Sequence, residues 1–215
     1  MEKIILFGCG EHARMVIDNI EDQGKYAVAG LLTNDPAELG KEIYGYKVIG
    51  LDGDILEILK SDPSITGYFL GVGNMKVRAK LAAWLDSACG VPAVNIIHPL
   101  ALVSKHAIIG RGNIFEAYTK VANGAVVGNH CILNSFSAIN HDQRIGDNVL
   151  IAGNVSMAGR SVGDNTIIAD GASIGFKVRV GKNCIIGDGA VVTKDTSDNI
   201  IAYGNPAREV RKNDW

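Results

Sequence analysis

The sequence lacks both an excess of one charge and any long apolar run. Lysine and arginine number 21 against 23 aspartates and glutamates, which gives a formal net charge of −2 at pH 7. Because no basic cluster accompanies this balance, we expect no electrostatic binding of nucleic acid. The N-terminal run KIILF is followed at once by glycines, a histidine and charges. It therefore predicts neither a signal peptide nor insertion into a membrane.

Cysteine is also scarce, and its spacing is not that of a metal or disulfide framework. The four cysteines, Cys9, Cys89, Cys131 and Cys184, form no C-x-x-C pair or other metal-ligand pattern. We therefore expect free thiols, no metal site and a cytoplasmic protein.

The first 97 residues alternate short apolar runs with stretches of helical periodicity. Such alternation is typical of a small parallel, Rossmann-like sheet with crossover helices. We predict an α/β domain over residues 1–97. The predicted strands are 3–7, 26–32, 66–72 and 92–97, and the predicted helices are 11–23, 54–61 and 75–88.

From residue 98 onward the sequence is a hexapeptide repeat. Written in sixes from Val103, every unit to Val192 begins with an apolar residue, and only the unit MAGRS is one residue short. The fifth position is Ala, Ser, Thr, Val or Cys except where Asn113 and Gln143 stand. This period predicts a parallel β-helix, whose units bury their faces by stacking. We assign residues 98–215 to this β-helix and its C-terminal tail.

The register of the repeat predicts which polar side chains are structural. Cys131 and Cys184 occupy the inward fifth position, so we interpret both as packing residues. His106 and His130 occupy the fourth position, at a turn, where a solvated side chain is expected.

A glycine motif follows the first predicted strand. FGCGEHA gives G-x-G-x-x-A with Gly8 and Gly10 at the start of a predicted helix, where backbone N–H groups can bind an anion. Asn34 and Asp35 follow the second strand and are placed to contact hydroxyls or a base, and His12 is a further candidate contact. The alternative is that these residues form two tight turns without a ligand.

A second segment, VGNMKVR, follows a later predicted strand in the same way. Asn74 suits a helix N-cap, and Arg78 is a candidate for a phosphate contact.

The unit INHDQR departs from the small and aliphatic pattern of its neighbours. It carries His141 and Asp142 at the third and fourth positions and Gln143 at the fifth. An imidazole can act as general base at neutral pH, and a carboxylate can orient it. Neighbours along a strand point to opposite faces, so this pairing requires a corner. The alternative is a solvated histidine and aspartate at a turn.

The hexapeptide run INHDQRIGDNVLIAGNVSMAGRSVGDNTIIADGASI, the glycine motif and the ending YGNPAR together resemble a known family. They are similar to the left-handed β-helix sugar O-/N-acyltransferases, within the sialic-acid O-acetyltransferase-like branch. Members include N-acetyltransferases of UDP- or GDP-linked 4-amino-4,6-dideoxy sugars. The resemblance implies a left-handed helix, a homotrimer, and acetyl-CoA as co-substrate in a cleft between neighbouring β-helices.

The resemblance also implies roles for individual residues. His141 matches the catalytic base and Asp142 the acidic residue that follows it. The other matched positions are, for the nucleotide-linked amino sugar, Gly8, Gly10, His12, Asn34, Asp35 and Asn134, and, for acetyl-CoA, Gly159, Ala172 and Gly189.

Together these observations predict an acetyl-CoA-dependent N-acetyltransferase of a nucleotide-linked amino sugar, with His141 as base. Three alternatives stay open at this point. They are O-acetylation of a sugar hydroxyl, a carbonic-anhydrase-type metal enzyme with three histidines converging between subunits, and a non-catalytic nucleotide-sugar-binding trimer.

Overall fold

A computed structural model describes residues 1–214 of the chain. Its internal contacts divide the chain into two compact units, Met1–His98 and a second unit that begins at Pro99. Each unit is described by itself.

The first unit is a five-stranded α/β sheet with a short sixth strand after it. The sheet order is β3-β4-β2-β1-β5, with β3 antiparallel to β4 and the other pairs parallel. Two 3₁₀ turns cover Pro36–Glu38 and Asp52–Asp54. The strands are Glu2–Phe7 (β1), Tyr26–Thr33 (β2), Glu42–Ile43 (β3), Tyr46–Leu51 (β4), Ile65–Leu70 (β5) and Ile96–Ile97 (β6). The helices are Glu11–Gln23 (α1), Ile55–Ser61 (α2) and Met75–Ala88 (α3).

The core of this unit follows from the apolar pattern. The last four residues of β1 are fully buried, because a central parallel strand is covered on both faces. Helix α1 buries one face, and Gly24 ends it in the left-handed region (φ 64°) with its N–H donated to the Ile20 carbonyl at 3.0 Å. Among residues 1–214, no helix is both long enough and apolar enough to cross a membrane.

Two details of the predicted α/β unit were wrong. The sequence analysis missed β3 and β4, because β4 is half-exposed and its Ile49 faces solvent. The predicted strand 92–97 is regular only at its last two residues. Earlier in that segment, Ala93 forms an isolated parallel bridge with Tyr68, and Pro92 has no N–H to donate to a ladder.

The second unit is a left-handed parallel β-helix, as predicted. Its two-residue strands build three parallel sheets, and β24 pairs antiparallel with β23 at the end. One sheet contains β7, β10, β13, β16, β19 and β22, a second β8, β11, β14, β17 and β20, and the third β9, β12, β15, β18, β21, β23 and β24. The strands are Leu102–Val103 (β7), Ile108–Ile109 (β8), Ile114–Phe115 (β9), Lys120–Val121 (β10), Val126–Val127 (β11), Ile132–Leu133 (β12), Ala138–Ile139 (β13), Arg144–Ile145 (β14), Leu150–Ile151 (β15), Ser156–Met157 (β16), Ser161–Val162 (β17), Ile167–Ile168 (β18), Ser173–Ile174 (β19), Arg179–Val180 (β20), Ile185–Ile186 (β21), Val191–Val192 (β22), Ile200–Tyr203 (β23) and Arg208–Lys212 (β24).

The fourth residue of most units lies at a corner in the left-handed backbone region. Non-glycine residues there have φ between 52° and 63°. Asparagine and glycine adopt this conformation at the lowest cost, which explains their recurrence. His106 is exposed as expected, but His130 is only 4% exposed, so the prediction of a solvated His130 was wrong.

The inward fifth position is confirmed as a packing site for cysteine. Cys131 and Cys184 are fully buried. Burial raises the pKa of the Cys184 thiol, so this group stays protonated and unreactive at neutral pH.

A ladder of asparagines stabilises one corner of the β-helix. Asn148 donates its side-chain amide to Asn165 at 3.0 Å, Asn165 donates to Asn183 at 3.2 Å, and Asn183 donates to Asn199 at 2.8 Å. The amides therefore join successive coils in addition to the backbone.

We predict that Asn165→Ala destabilises the chain more than Asn165→Gly. Both variants lose the ladder, at about 1 kcal/mol for each hydrogen bond. Only alanine must also adopt φ 56°, which adds about 1 kcal/mol. Thermal unfolding should rank the wild type above Asn165→Gly and Asn165→Gly above Asn165→Ala. Equal losses in the two variants would show that backbone strain is unimportant at this corner.

Candidate active site

A pocket of about 540 Å³ lies at the carboxyl ends of β1, β2 and β5. Because β1 lies between β2 and β5, this is the point where the chain switches direction across the sheet, the usual ligand site of such folds. The structure brings together here all five sequence-predicted residues of this unit, namely Gly8, Gly10, His12, Asn34 and Asp35.

The two glycines of the motif lie in different surroundings. Gly8 has φ +103°, and a Cβ there would lie 2.7 Å from the carbonyl oxygen of Gly71, so no side chain fits. Gly10 precedes α1 without a side-chain cap, and space is open around it. The first-turn N–H groups of α1 have no partner within the helix and carry the positive end of its dipole. This geometry suits a phosphate group.

Two further glycines line the pocket, and the sequence analysis missed them. A Cβ at Gly71 would lie 3.1 Å from the Ala13 Cβ, and a Cβ at Gly73 would lie 3.2 Å from the His12 Cβ. Both glycines therefore let the segment after β5 approach α1. The signal was the pair of alternating glycines directly after an apolar run.

His12 is a neutral polar group at the wall of this pocket. Burial, and secondarily the charge of Arg78, lower the pKa of His12 from 6.5 to about 4. Its Nε2 is buried and has no hydrogen-bond partner among the described residues. At neutral pH the uncharged ring can therefore offer one hydrogen bond to a ligand.

Asn34 and Asp35 contribute to both the turn and the pocket. The Asp35 carboxylate accepts the Ala37 N–H at 2.9 Å, and the Asp35 N–H donates to the Thr33 hydroxyl at 3.1 Å. Asn34 is exposed beside them. The turn alternative is thus realised, and the same two residues still border the pocket.

Of the two residues singled out near α3, one was interpreted correctly. Asn74 caps the helix, because its Oδ1 accepts the N–H groups of Lys76 at 3.1 Å and Val77 at 3.2 Å. Arg78 is fully buried and donates to the carbonyl of Leu70, so the suggestion that it reaches a phosphate was wrong.

His141 and Asp142 form an exposed pair at a corner of the β-helix. The His141 Nδ1 lies 2.8 Å from the Asp142 Oδ2, and the two side chains are 72% and 74% exposed. Asp142 has φ 61°, and this left-handed turn brings its side chain back to the preceding residue. Its N–H is anchored on the Asn123 carbonyl at 3.1 Å. With Nδ1–H donated to the carboxylate, Nε2 keeps a free lone pair.

Gly124, one coil earlier, provides the space that the Asp142 carboxylate needs. A Cβ at Gly124 would overlap the Asp142 Oδ1. Gly124 also has φ +69°. The sequence analysis missed Gly124. Its signal in the sequence is the spacing: Gly124 precedes Asp142 by 18 residues, which is the length of one coil.

His141 borders two open pockets of the β-helix. One, of about 550 Å³, is lined by residues of earlier coils, including Ser104, Lys120 and Asn123. The other, of about 720 Å³, is lined by later coils, including Gly159 and Phe176. The imidazole thus lies where the two pockets meet.

Gly159 and two cations shape the larger pocket. Gly159 stands 18 residues after His141, so it lies at the same corner one coil on, and its N–H has no hydrogen bond among the described residues. The cationic side chains of Arg160 and Lys177 also line the pocket.

Three other residues predicted from the resemblance lie at a different corner of the chain. The Asn134 side chain donates to Glu116 at 2.7 Å. Gly189 is exposed, with its N–H donated to Asp170 at 2.8 Å. Ala172 is fully buried at the inward fifth position and its N–H donates to Ala169, so the structure does not support Ala172 as a cofactor contact.

Metal-binding side chains do not cluster in the part of the chain that the structure describes. No group of three or more His, Cys, Asp or Glu residues in it could hold a metal ion.

We predict that His12 makes stability depend on pH below neutrality. The folded pKa of about 4 lies below the unfolded value of 6.5, so folding stability is complete above pH 6.5 and falls as pH drops toward 4. For a partly solvated ring we expect about 1–2 kcal/mol. Chemical denaturation at pH 7.5 and pH 5 should show a smaller loss in His12→Gln than in the wild type. An identical loss in both would show that His12 is not the group responsible.

Known proteins resemble the first unit and also the chain as a whole. Residues 3–85 match the family model of the PglD N-terminal domain. The chain is 32% identical over 218 residues to GDP-perosamine N-acetyltransferase of Escherichia coli O157:H7, covering 96% of each chain.

Solved structures resemble the chain over nearly its whole length. PerB from Caulobacter crescentus, in complex with CoA and GDP-perosamine, has a TM-score of 0.84 and 29% identity, with 97% of each chain covered. The acetyltransferase domain of PglB from Neisseria gonorrhoeae FA1090, in complex with acetyl coenzyme A, has a TM-score of 0.84 and 29% identity, with 97% of this chain and 99% of that one covered. The chain is therefore an acyltransferase and belongs to the hexapeptide-repeat family of left-handed β-helix sugar acetyltransferases.

Proposed function

We propose that the chain transfers the acetyl group of acetyl-CoA to the amino group of a 4-amino-4,6-dideoxy sugar linked to UDP or GDP. The carrying observation is the His141–Asp142 pair at the junction of two pockets. The Escherichia coli relative is a GDP-perosamine N-acetyltransferase, and the Caulobacter structure holds CoA and GDP-perosamine. Both names support an amino sugar as acceptor.

In the proposed reaction the sugar nitrogen attacks the thioester carbonyl carbon directly. The C–N bond forms and the C–S bond breaks, so the CoA thiolate leaves. His141 Nε2 accepts the proton that the nitrogen loses and passes it to the thiolate. Asp142 holds the Nδ1–H and stabilises the imidazolium that forms.

The unpaired N–H of Gly159 is the proposed donor to the developing oxyanion. Gly159 lines the larger pocket, at the same corner as His141 but one coil further on. A fixed backbone donor stabilises charge that appears only in the transition state. We therefore assign acetyl-CoA to the larger pocket, where Arg160 and Lys177 supply positive charge for its phosphates, and the amino sugar to the smaller one.

The pocket of the first unit is proposed to bind the nucleotide diphosphate. The start of α1 faces the phosphates, while Asn34, Asp35 and neutral His12 contact the ribose or base. The first unit would then be the nucleotide-sugar-binding domain and the second the acyltransferase domain.

A homotrimer would complete the site. Asn134 and Gly189 lie at a different corner from His141 in one chain. They would join the site of His141, Asn134 at the amino sugar and Gly189 at acetyl-CoA, only from a second copy of the chain.

We predict that purified protein releases CoA thiol only with a nucleotide-linked 4-amino sugar. A panel of UDP-, GDP- and dTDP-linked 4-amino-4,6-dideoxy sugars, with the matching 4-hydroxy sugars, identifies the acceptor. His141→Ala should lower kcat by about 10²–10⁴-fold, because a general base contributes that much. The exposed His106→Ala is the matched control and should stay near wild type.

Each contrary result has a distinct meaning. Turnover only with hydroxyl acceptors would make the protein an O-acetyltransferase. Full activity in His141→Ala would remove the assigned base. No thiol release with any sugar would favour a non-catalytic nucleotide-sugar-binding protein.

We predict that Gly124→Ala lowers kcat at least tenfold by displacing the Asp142 carboxylate from His141. Gly171→Ala is the matched control, because Gly171 has a similar φ of +67° and a Cβ there would have no atom within 4 Å. Both variants carry about 1 kcal/mol of backbone strain, so they should unfold at similar temperatures. Equal kcat values in the two variants would show that the carboxylate position is unimportant.

A further inference from the structure

Gln143 interrupts the hydrogen-bond ladder of the β-helix beside His141. In an earlier coil the N–H of Ala122 donates to the carbonyl of Ile139, one coil further on, at 3.0 Å. The equivalent N–H of Asn140 donates instead to Oε1 of Gln143 at 2.9 Å. Nε2 of Gln143 then donates to the carbonyl of Met157 at 2.9 Å. The side-chain amide therefore lies where the direct ladder bond would be.

The Gln143 amide makes a third hydrogen bond, to the same corner of the next coil. Nε2 of Gln143 also donates to the carbonyl of Gly159 at 2.6 Å. Only one orientation of the amide satisfies all three bonds, because the partners are one N–H and two carbonyls. Gln143 is 2% exposed, so solvent does not compete for these bonds.

This arrangement fixes the geometry of the site on both sides. Asn140 directly precedes His141, and Gly159 carries the N–H proposed for the oxyanion. Gln143 binds both residues and lines the pocket between their two coils. It also replaces a direct backbone bond by a bridge of two bonds, and the Asn140 side-chain amide donates to the same Met157 carbonyl at 2.6 Å.

We propose that Gln143 is a positioning residue that sets the distance between the His141 imidazole and the Gly159 backbone. The inference rests on the proposed function. A misplacement of about 1 Å in a reacting group can cost about 100-fold in rate.

The variant Gln143→Thr separates positioning from folding. Threonine and serine at other fifth positions close their own corners, as Thr119 does on the Glu116 carbonyl at 2.8 Å and Ser137 does on the Asn134 carbonyl at 2.7 Å. Threonine at 143 can close the corner in the same way, but it cannot bridge to the next coil. The N–H at 140 is then available for a direct ladder bond.

Asn113→Thr is the matched control. Asn113 is the other amide at a fifth position, is fully buried, and bonds the Cys131 N–H at 2.8 Å and the Gly128 carbonyl at 2.9 Å. It lies at a different corner from His141. Loss of its amide therefore tests the general cost of removing such a group.

The test measures kcat and KM, with kcat expressed per acetyl-CoA-binding site counted by calorimetry. We expect Gln143→Thr to lower kcat by about 10–100-fold, with KM for acetyl-CoA changed less than about twofold. Asn113→Thr should change kcat less than about twofold. In the His141→Ala background, Gln143→Thr should have a smaller effect on kcat than in the wild type, because one of the two groups that it positions is absent.

Unchanged kcat in Gln143→Thr, or an equal loss in Asn113→Thr, would overturn the inference. If the wild type is active and His141→Ala is not, either of these results for the Gln143 and Asn113 variants leaves the proposed function intact. Wild type without activity on any amino sugar would instead reject the proposed function itself. If Gln143→Thr does not bind acetyl-CoA, Gln143→Met replaces it, because methionine fills a similar volume without the three bonds.

Discussion

The hydrogen-bond ladder between successive coils is the constraint on which the site depends. Strands of only two residues pair in parallel register over a spacing of 18 residues, or 17 where the short unit intervenes. Residues at equal positions therefore lie one above the other, about 4.8 Å apart per coil. At the His141 corner this rule stacks Asn123, His141, Gly159 and Phe176. The proposed base and the proposed oxyanion donor are neighbours because the coil length makes them so.

The left-handed conformation of Asp142 brings together the two side chains of the proposed catalytic pair. Along a strand, a histidine and the aspartate after it would point to opposite faces. At the corner, Asp142 has φ 61°, and this conformation places its Oδ2 2.8 Å from the His141 Nδ1. The pair needs room as well as conformation, and the absence of a side chain at Gly124 supplies it.

Much of this arrangement could be predicted from sequence, because a repeat encodes register directly. The positions of His141, Asp142 and the residues of the first pocket follow from local patterns, while their roles stay proposals. The errors at Arg78 and His130 share a physical cause, which is that long-range contacts decide the burial of a side chain. Arg78 looks like a surface cation, yet it is buried on a carbonyl at the end of β5. His130 occupies a corner position but is covered. Ala172 matched a cofactor position by resemblance, while its fifth-position register already indicated burial.

Two local costs lie at the walls of the proposed sites. The buried Nε2 of His12 lacks a hydrogen bond among the described residues, and such a group costs about 1–3 kcal/mol. At Gln143 a large amide occupies a position that, apart from Asn113, holds a smaller residue in the other units, and its three bonds replace a ladder bond. The exposed His141–Asp142 pair adds little stability, as expected for two polar side chains at the surface. A sequence selected only for the stability of its fold would have no reason for either departure. Because each departure lies at the wall of a pocket, function is the simplest physical account of both.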